Sequence, residues 1–304
     1  MLTKELETAD SPVTASWRDY YVLTKPGVVQ LLVFTAIVGM FLSTPGSVDW
    51  KILLFASLGI GLSAASGAAV NHILDQRLDA EMLRTRDRPM PKGLIKDRDA
   101  LIFAVTLGFV GIAILVFFIN VLTAALTFLS LIGYAVVYTV YLKRATPQNI
   151  VIGGAAGASP PVLGWTAVTN EVSGYALLLF LIIFTWTPPH FWALAVARRD
   201  DYAKAGVPML PVTHGPEVTK SFIVYYTILL IIISVLPYIT GMTGILYLFA
   251  AVLLGVGFLY YAIRLKWGRD EDMAMKTFGY SISYLMALFC FLLADHYMPF
   301  IWSE

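Results

Sequence analysis

The chain has 304 residues, 58% of them hydrophobic and only 13% charged, with a mean hydropathy of +0.75. Soluble domains carry roughly a quarter charged residues, so this composition excludes them and indicates an all-α, polytopic membrane protein. A net charge of +1 and a single cysteine, Cys290, exclude a disulfide framework and a thiolate metal site, and no nucleic-acid partner is expected.

Residues 1–17 are polar and mixed in charge, and are expected to form a loose tail ahead of one membrane domain over 18–304. The tail is short and carries acids, unlike a mitochondrial transit peptide. A membrane-spanning helix needs about 20 mostly apolar residues. Nine such runs are predicted: 27–45, 51–71, 99–119, 121–141, 148–168, 174–196, 221–240, 243–264 and 279–299. Asn120 and Thr240-Gly241-Met242 leave room only for tight helical hairpins. Every lysine and arginine except Lys51 falls in the tail or in the loops after the second, fourth, sixth and eighth runs. The positive-inside rule then puts the N-terminus and those loops in the cytoplasm and the C-terminus outside, in an expected bacterial plasma membrane.

Asn71, Asp75 and Asp79 lie four residues apart at the end of the second run, forming one helical stripe. Arg84-Thr85-Arg86-Asp87-Arg88-Pro89 follows. A salt-bridged helix end is the ordinary explanation of such charges. Here the stripe begins inside an apolar helix, where charge is rare and usually functional. Two carboxylates on adjacent turns repel unless a cation lies between them. Mg²⁺ takes oxygen ligands and commonly brings phosphate. The expected arrangement has Asp75 and Asp79 on metal, Asn71 supplying an amide oxygen or a donor, and Arg84, Arg86 and Arg88 on outer phosphate oxygens.

The loop after the sixth run, Arg198-Arg199-Asp200-Asp201-Tyr202-Ala203-Lys204, faces the same compartment. It is either a charged juxtamembrane loop or a second part of the site. In the second case Asp200 or Asp201 would complete a second metal and Lys204 would touch phosphate. Lys143 and Arg144 end the fourth helix, where they either complement its dipole or add to the basic pocket. The small residues Gly153–Ser159 allow close helix packing or leave room for a flat ligand. In Thr185–Trp192 two prolines are expected to kink the sixth helix beside His190 and Trp186. That is either packing or a cavity in which an imidazole meets an iron porphyrin. His72 is the other histidine near the site, and His214 and His296 look peripheral.

The run Asn71-x-x-x-Asp75-x-x-x-Asp79 with Arg84-Thr85-x-x-Arg88-Pro89 resembles the intramembrane, UbiA-type prenyltransferase superfamily typified by 4-hydroxybenzoate polyprenyltransferase. Leu23–Pro26, Arg84–Pro91, Lys143–Ala158, Trp186–Trp192, Asp200–Tyr202 and the stretch from Ala274 to His296 resemble one branch, the protoheme IX farnesyltransferases or heme O synthases. The resemblance covers roughly residues 18–298.

It implies nine helices around a central cavity and Mg²⁺-dependent ionisation of farnesyl diphosphate. A vinyl group of heme B then attacks, water adds, and heme O and pyrophosphate form. His72 stands where the superfamily often has aspartate, and Asp200 and Asp201 face Lys204 and Ala205 rather than a second acid. Tyr134, Tyr138 and Tyr202 are candidates to shield an allylic cation. The implied partners are farnesyl diphosphate, heme B, the lipid bilayer and, by pathway logic, a heme A synthase. Two alternatives fit less of the chain. One is prenylation of an aromatic acceptor such as 4-hydroxybenzoate. The other is secondary transport of an anion, which would need a midplane site.

Overall fold

The computed structural model describes residues 15–270 and 272–301. Most of the expected tail lies outside them, and Trp17 already opens a helix. The helices are α1 (Trp17–Leu23), α2 (Pro26–Leu42), α3 (Trp50–Leu74), α4 (Gln76–Glu81), α5 (Asp97–Phe118) and α6 (Val121–Ile132). A π-helical segment (Gly133–Leu142) continues α6 and runs into α7 (Lys143–Ala145). Then come α8 (Asn149–Ala158), α9 (Pro160–Thr169), α10 (Gly174–Ala197), α11 (Arg199–Lys204) and α12 (Leu210–Thr213). The chain finishes with α13 (Pro216–Ile239), α14 (Ile245–Trp267) and α15 (Met273–Ile301). No strand occurs among the described residues.

Seven helices are long and apolar enough to cross a membrane, and the pair α1–α2, bent by 53°, raises the count to eight among the described residues. The single helix expected over 148–168 is instead α8 and α9, ten residues each, meeting at Ser159. Pro160 and Pro161 remove two consecutive backbone donors there, which breaks the ladder. Ile150 of α8 packs at the end that holds the aspartates, while the Thr166 carbonyl of α9 accepts from Asn120 Nδ2 at the opposite hairpin. The same Asn120 caps α6 through Oδ1 to the Thr123 N–H.

Pro188 and Pro189, by contrast, do not interrupt α10, which is assigned as one continuous helix. A helix buried among other helices tolerates the loss of two backbone bonds, and α10 is the most deeply buried of the candidate spans among the described residues.

Helix α10 is central, packing on α8, α13 and α15, while α15 returns to α2. Its apolar stretch is 67% buried against 22% for α5 and 22% for the span from α6 to α7, so those two form the flank left to lipid. The main core joins Val38 and Leu42 of α2, Leu179, Ile182 and Trp186 of α10, Phe258 of α14 and Tyr284, Leu288 and Phe289 of α15. Lipid removes the usual hydrophobic drive between helices, so close contact relies on small residues. A Cβ on Gly164 would lie 1.9 Å from the Ala36 carbonyl oxygen, and one on Gly39 2.2 Å from that of Pro161, so α2 and α9 touch backbone to backbone.

Candidate active site

Helix α3 ends at Leu74, and Asp75 (φ −90°, ψ 1°) joins it to α4. The expected stripe survives this joint. The Asp75 N–H donates to the Asn71 carbonyl at 2.9 Å and the Asp79 N–H to the Asp75 carbonyl at 2.7 Å. Asn71, His72, Asp75 and Asp79 are all buried. The Thr85 hydroxyl donates to the Asp79 carbonyl and Gln76 Nε2 to the Met90 carbonyl, which folds the arginine-bearing loop back onto α4.

Each carboxylate holds one cation through the same oxygen. Lys143 Nζ lies 2.6 Å from Asp75 Oδ2, and Arg88 lies 2.7 Å from Asp79 Oδ2. Asn71 Nδ2 donates to Asp75 Oδ2 at 2.8 Å and to the Thr139 hydroxyl at 3.3 Å. Lys25 Nζ donates to Asn71 Oδ1. The amide orientation follows from its partners, because an ammonium needs an acceptor and a carboxylate a donor. Lys25 carried no role in the sequence reading, and its contact spans 46 positions. It sits at φ 49°, ψ 61°, a left-handed conformation uncommon outside glycine.

The π-helical segment explains how Lys143 gets there. The Thr139 hydroxyl donates to the Tyr134 carbonyl at 2.8 Å, five residues back. A wider helix rotates the following residues, so Thr139 and Lys143 both meet the Asn71–Asp75 turn. Such π segments recur at functional sites. Tyr134 and Tyr138 stack in the same segment, centroids 5.7 Å apart. Gly153 accommodates them, since a Cβ there would lie 2.2 Å from the Tyr138 ring. The small-residue run of α8 therefore serves close packing at that point.

The loop after α10 joins this site. Tyr202 of α11 packs with Met82, Ile150, Ala195 and Met209, and Leu78 of α4 packs against the same group. The two charged loops therefore meet through these apolar residues. Burial pushes the Tyr202 phenol above its ordinary value, opposed by nearby Arg84 and Arg88. Asp200 is exposed and Asp201 half-buried, and neither makes an ion pair among the described residues. Arg84, Arg86, Arg144 and Lys204 are exposed and likewise unpaired there, so of the three expected arginines only Arg88 reaches a carboxylate.

His190 lies between Trp186 and Phe278, with centroids at 4.2 and 4.5 Å, and its Nδ1 is 2.6 Å from the Ser281 hydroxyl. Its Nε2 has no hydrogen-bond partner among the described residues. Trp186 Nε1 donates to the Ser281 carbonyl, so the α10–α15 seam holds both side chains. His72 is 1% exposed, and both of its ring nitrogens lack a hydrogen-bond partner among the described residues. His296 is peripheral, its Nε2 3.0 Å from the Thr44 carbonyl.

Among the described residues no three His, Cys, Asp or Glu side chains gather as a metal cage. Mg²⁺ does not require one, being held usually by one or two carboxylates together with substrate phosphates and water. Asp75 and Asp79 fit that demand. Both cations use Oδ2, and neither Oδ1 accepts a hydrogen bond among the described residues.

Residues 32–293 match the UbiA prenyltransferase family. The chain is 62% identical over 283 residues to a protoheme IX farnesyltransferase of Methylococcus capsulatus, covering 93% of this chain and 95% of that protein. It is 60% identical to protoheme IX farnesyltransferase 2 of Pseudoalteromonas atlantica, covering 93% of each chain. In fold it is similar to a digeranylgeranylglyceryl phosphate synthase structure (TM-score 0.76, 22% identity, 92% of this chain and 98% of that one). It is also similar to a UbiA homologue from Archaeoglobus fulgidus bound to GPP and Mg²⁺ (TM-score 0.66, 18% identity, 90% and 99% covered). The chain belongs to the UbiA prenyltransferase family.

Proposed function

We propose that this protein is a protoheme IX farnesyltransferase. It transfers the farnesyl group of farnesyl diphosphate to a vinyl group of heme B; water adds to the other vinyl carbon and loses a proton, giving heme O and pyrophosphate. The identity of the acceptor is supported by the relatives at 60% identity and above that carry this activity in their names. The observation that carries the chemistry is the buried network of Asn71, Asp75, Lys143, Asp79 and Arg88 at the end of α3.

The reaction needs no protein nucleophile. Its barrier is separation of an allylic cation from an anionic leaving group, which fixed positive charge lowers directly. Mg²⁺ held by Asp75 and Asp79 would supply part of that charge. Lys143 and Arg88 are already in place to donate to the outer diphosphate oxygens, with Asn71 oriented beside them. The exposed Arg84, Arg86, Arg144 and Lys204 draw the charged head group in from solvent. Asp200 and Asp201, on the neighbouring loop, would supply further carboxylate oxygens to hold the metal or its water. The stacked faces of Tyr134 and Tyr138 shield the cation. His190 holds the heme iron through its partner-free Nε2, with Trp186 against its ring, and His72 is the second candidate ligand.

In this reading the chain crosses a bacterial plasma membrane nine times, α8 and α9 forming one broken crossing. The site faces the cytoplasm, as the basic loops suggest. Heme O carries a farnesyl chain that favours lipid, and would pass within the membrane to a heme A synthase. Purified protein incubated with heme B, farnesyl diphosphate and Mg²⁺ should yield a coloured, farnesylated heme on chromatography. A product only when 4-hydroxybenzoate replaces heme B would refute the acceptor, and no transfer with either would refute the reaction.

A further inference from the structure

His190 is clamped on both faces. The Trp186 ring lies within 18° of parallel to it and the Phe278 ring within 24°, with centroids 4.2 and 4.5 Å away. Rings stacked on both sides leave only the edge of the imidazole to meet a ligand, and His190 keeps 7% of its surface exposed. The lone pair that binds a metal lies in the ring plane, so ligation needs only an edge.

The Nδ1 edge is already taken. Nδ1 lies 2.6 Å from the Ser281 hydroxyl oxygen, across 91 positions of sequence. The same hydroxyl donates to the Phe278 carbonyl at 2.6 Å. A serine hydroxyl carries one proton. With that proton directed at Phe278, the contact to His190 is a hydrogen bond only if Nδ1 carries the hydrogen and donates it. A neutral imidazole protonated on Nδ1 has a bare lone pair on Nε2. Nε2 is the nitrogen with no hydrogen-bond partner among the described residues.

We propose that Ser281 is a positioning residue for the heme acceptor. Its hydroxyl holds His190 as the Nδ1-protonated tautomer, with the Nε2 lone pair presented to iron at the open edge. This rests on the reading of His190 as the iron ligand. No proton is gained or lost, since the hydroxyl selects between two neutral forms. Metal-ligating histidines commonly donate their second nitrogen to a fixed acceptor, and losing that acceptor costs about 10–100-fold in metal affinity. Ser281 also fixes one wall of the clamp, because its carbonyl accepts from Trp186 Nε1 at 2.8 Å. Fixing the iron fixes the porphyrin, and with it the approach of the reacting vinyl group to the farnesyl carbon.

The test compares heme B with metal-free protoporphyrin IX, which has the same vinyl groups and outline without the iron. Binding to purified protein is followed by the heme absorption band for the first and by porphyrin fluorescence for the second. Ser281→Ala deletes the hydroxyl and keeps the backbone carbonyl that holds Trp186. It should weaken heme B about tenfold or more and leave protoporphyrin IX at the wild-type affinity. Equal losses for both ligands would make Ser281 a packing residue, and no loss for heme B would detach it from the iron; either result overturns the inference. His190→Ala separates the two levels. If it leaves heme B affinity unchanged, the iron-ligand reading falls and the role of Ser281 falls with it. If it weakens heme B while Ser281→Ala does not, only the role of Ser281 is lost. Should Ser281→Ala fail to fold, ¹⁵N NMR of histidine-labelled wild type decides. The signals missing from His190→Gln belong to His190 and should show the hydrogen on Nδ1; a hydrogen on Nε2 would overturn the inference.

Discussion

Asp75→Asn keeps the shape of the side chain and deletes one charge. Asp75 Oδ2 takes Lys143 Nζ at 2.6 Å and Asn71 Nδ2 at 2.8 Å, and only 12% of the Lys143 and 7% of the Asp75 side chain is exposed. The variant leaves an ammonium buried opposite a neutral amide. Removing one partner of a buried pair destabilises by about 3–5 kcal/mol. In a chain of this size that lowers the thermal midpoint by on the order of 10 °C. Turnover should fall by about a thousandfold or more, or roughly 4 kcal/mol of barrier, because a metal ligand is lost as well. Adding Lys143→Met removes the stranded charge. The double variant buries no unpaired charge, and the amide oxygen at position 75 can still accept from Asn71 Nδ2, so it should recover most of the lost midpoint and remain inactive. Tryptophan fluorescence during heating in detergent and chromatography of heme O read the two effects separately. Single and double variants melting together would refute the pairing argument. Turnover in Asp75→Asn above about a tenth of wild type would instead refute the metal assignment.

Gly153→Ala would put a Cβ 2.2 Å from the Tyr138 ring and break its stack on Tyr134. It should cost about 1–3 kcal/mol of stability and most turnover, whereas Gly157→Ala, with nothing within 4 Å, should change neither thermal midpoint nor rate. His190→Ala should weaken heme binding, followed by the heme absorption band, while pyrophosphate affinity stays at the wild-type value; an unchanged heme titration would take His190 out of the site. Removing divalent metal with EDTA should stop product formation, and added Mg²⁺ should restore it, with product chromatography as the measure. The farnesyl chain moves from one apolar medium to another, so affinity should reside in the diphosphate. Equal affinity for farnesol and farnesyl diphosphate, measured by calorimetry, would contradict that.

The membrane class, most helix positions and the end of the bundle where the candidate site's charges gather were legible in the sequence. Each depends on composition summed over neighbouring residues. Asn71, Asp75 and Asp79 were legible for a similar reason: they lie on one helix, and their spacing alone brings them together, even across the joint at Asp75. The broken crossing at Ser159 was within reach too, since Pro160 and Pro161 mark it, yet the same residue pair at Pro188 and Pro189 leaves α10 continuous. Two prolines remove the same donors in both places, and packing by neighbouring helices decides whether the ladder survives. The partners of the carboxylates were settled only by the tertiary structure. Arg84, Arg86 and Arg88 look equivalent in the chain, but the loop folded back by Thr85 and Gln76 delivers Arg88 alone to Asp79. Lys143 reaches Asp75 across 68 positions because a π-helical segment turns it inward, and Lys25 reaches Asn71 from the start of the chain. Local sequence specifies which residues a single helix aligns. Which charges meet across helices depends on how the bundle packs, and that is a property of the whole chain.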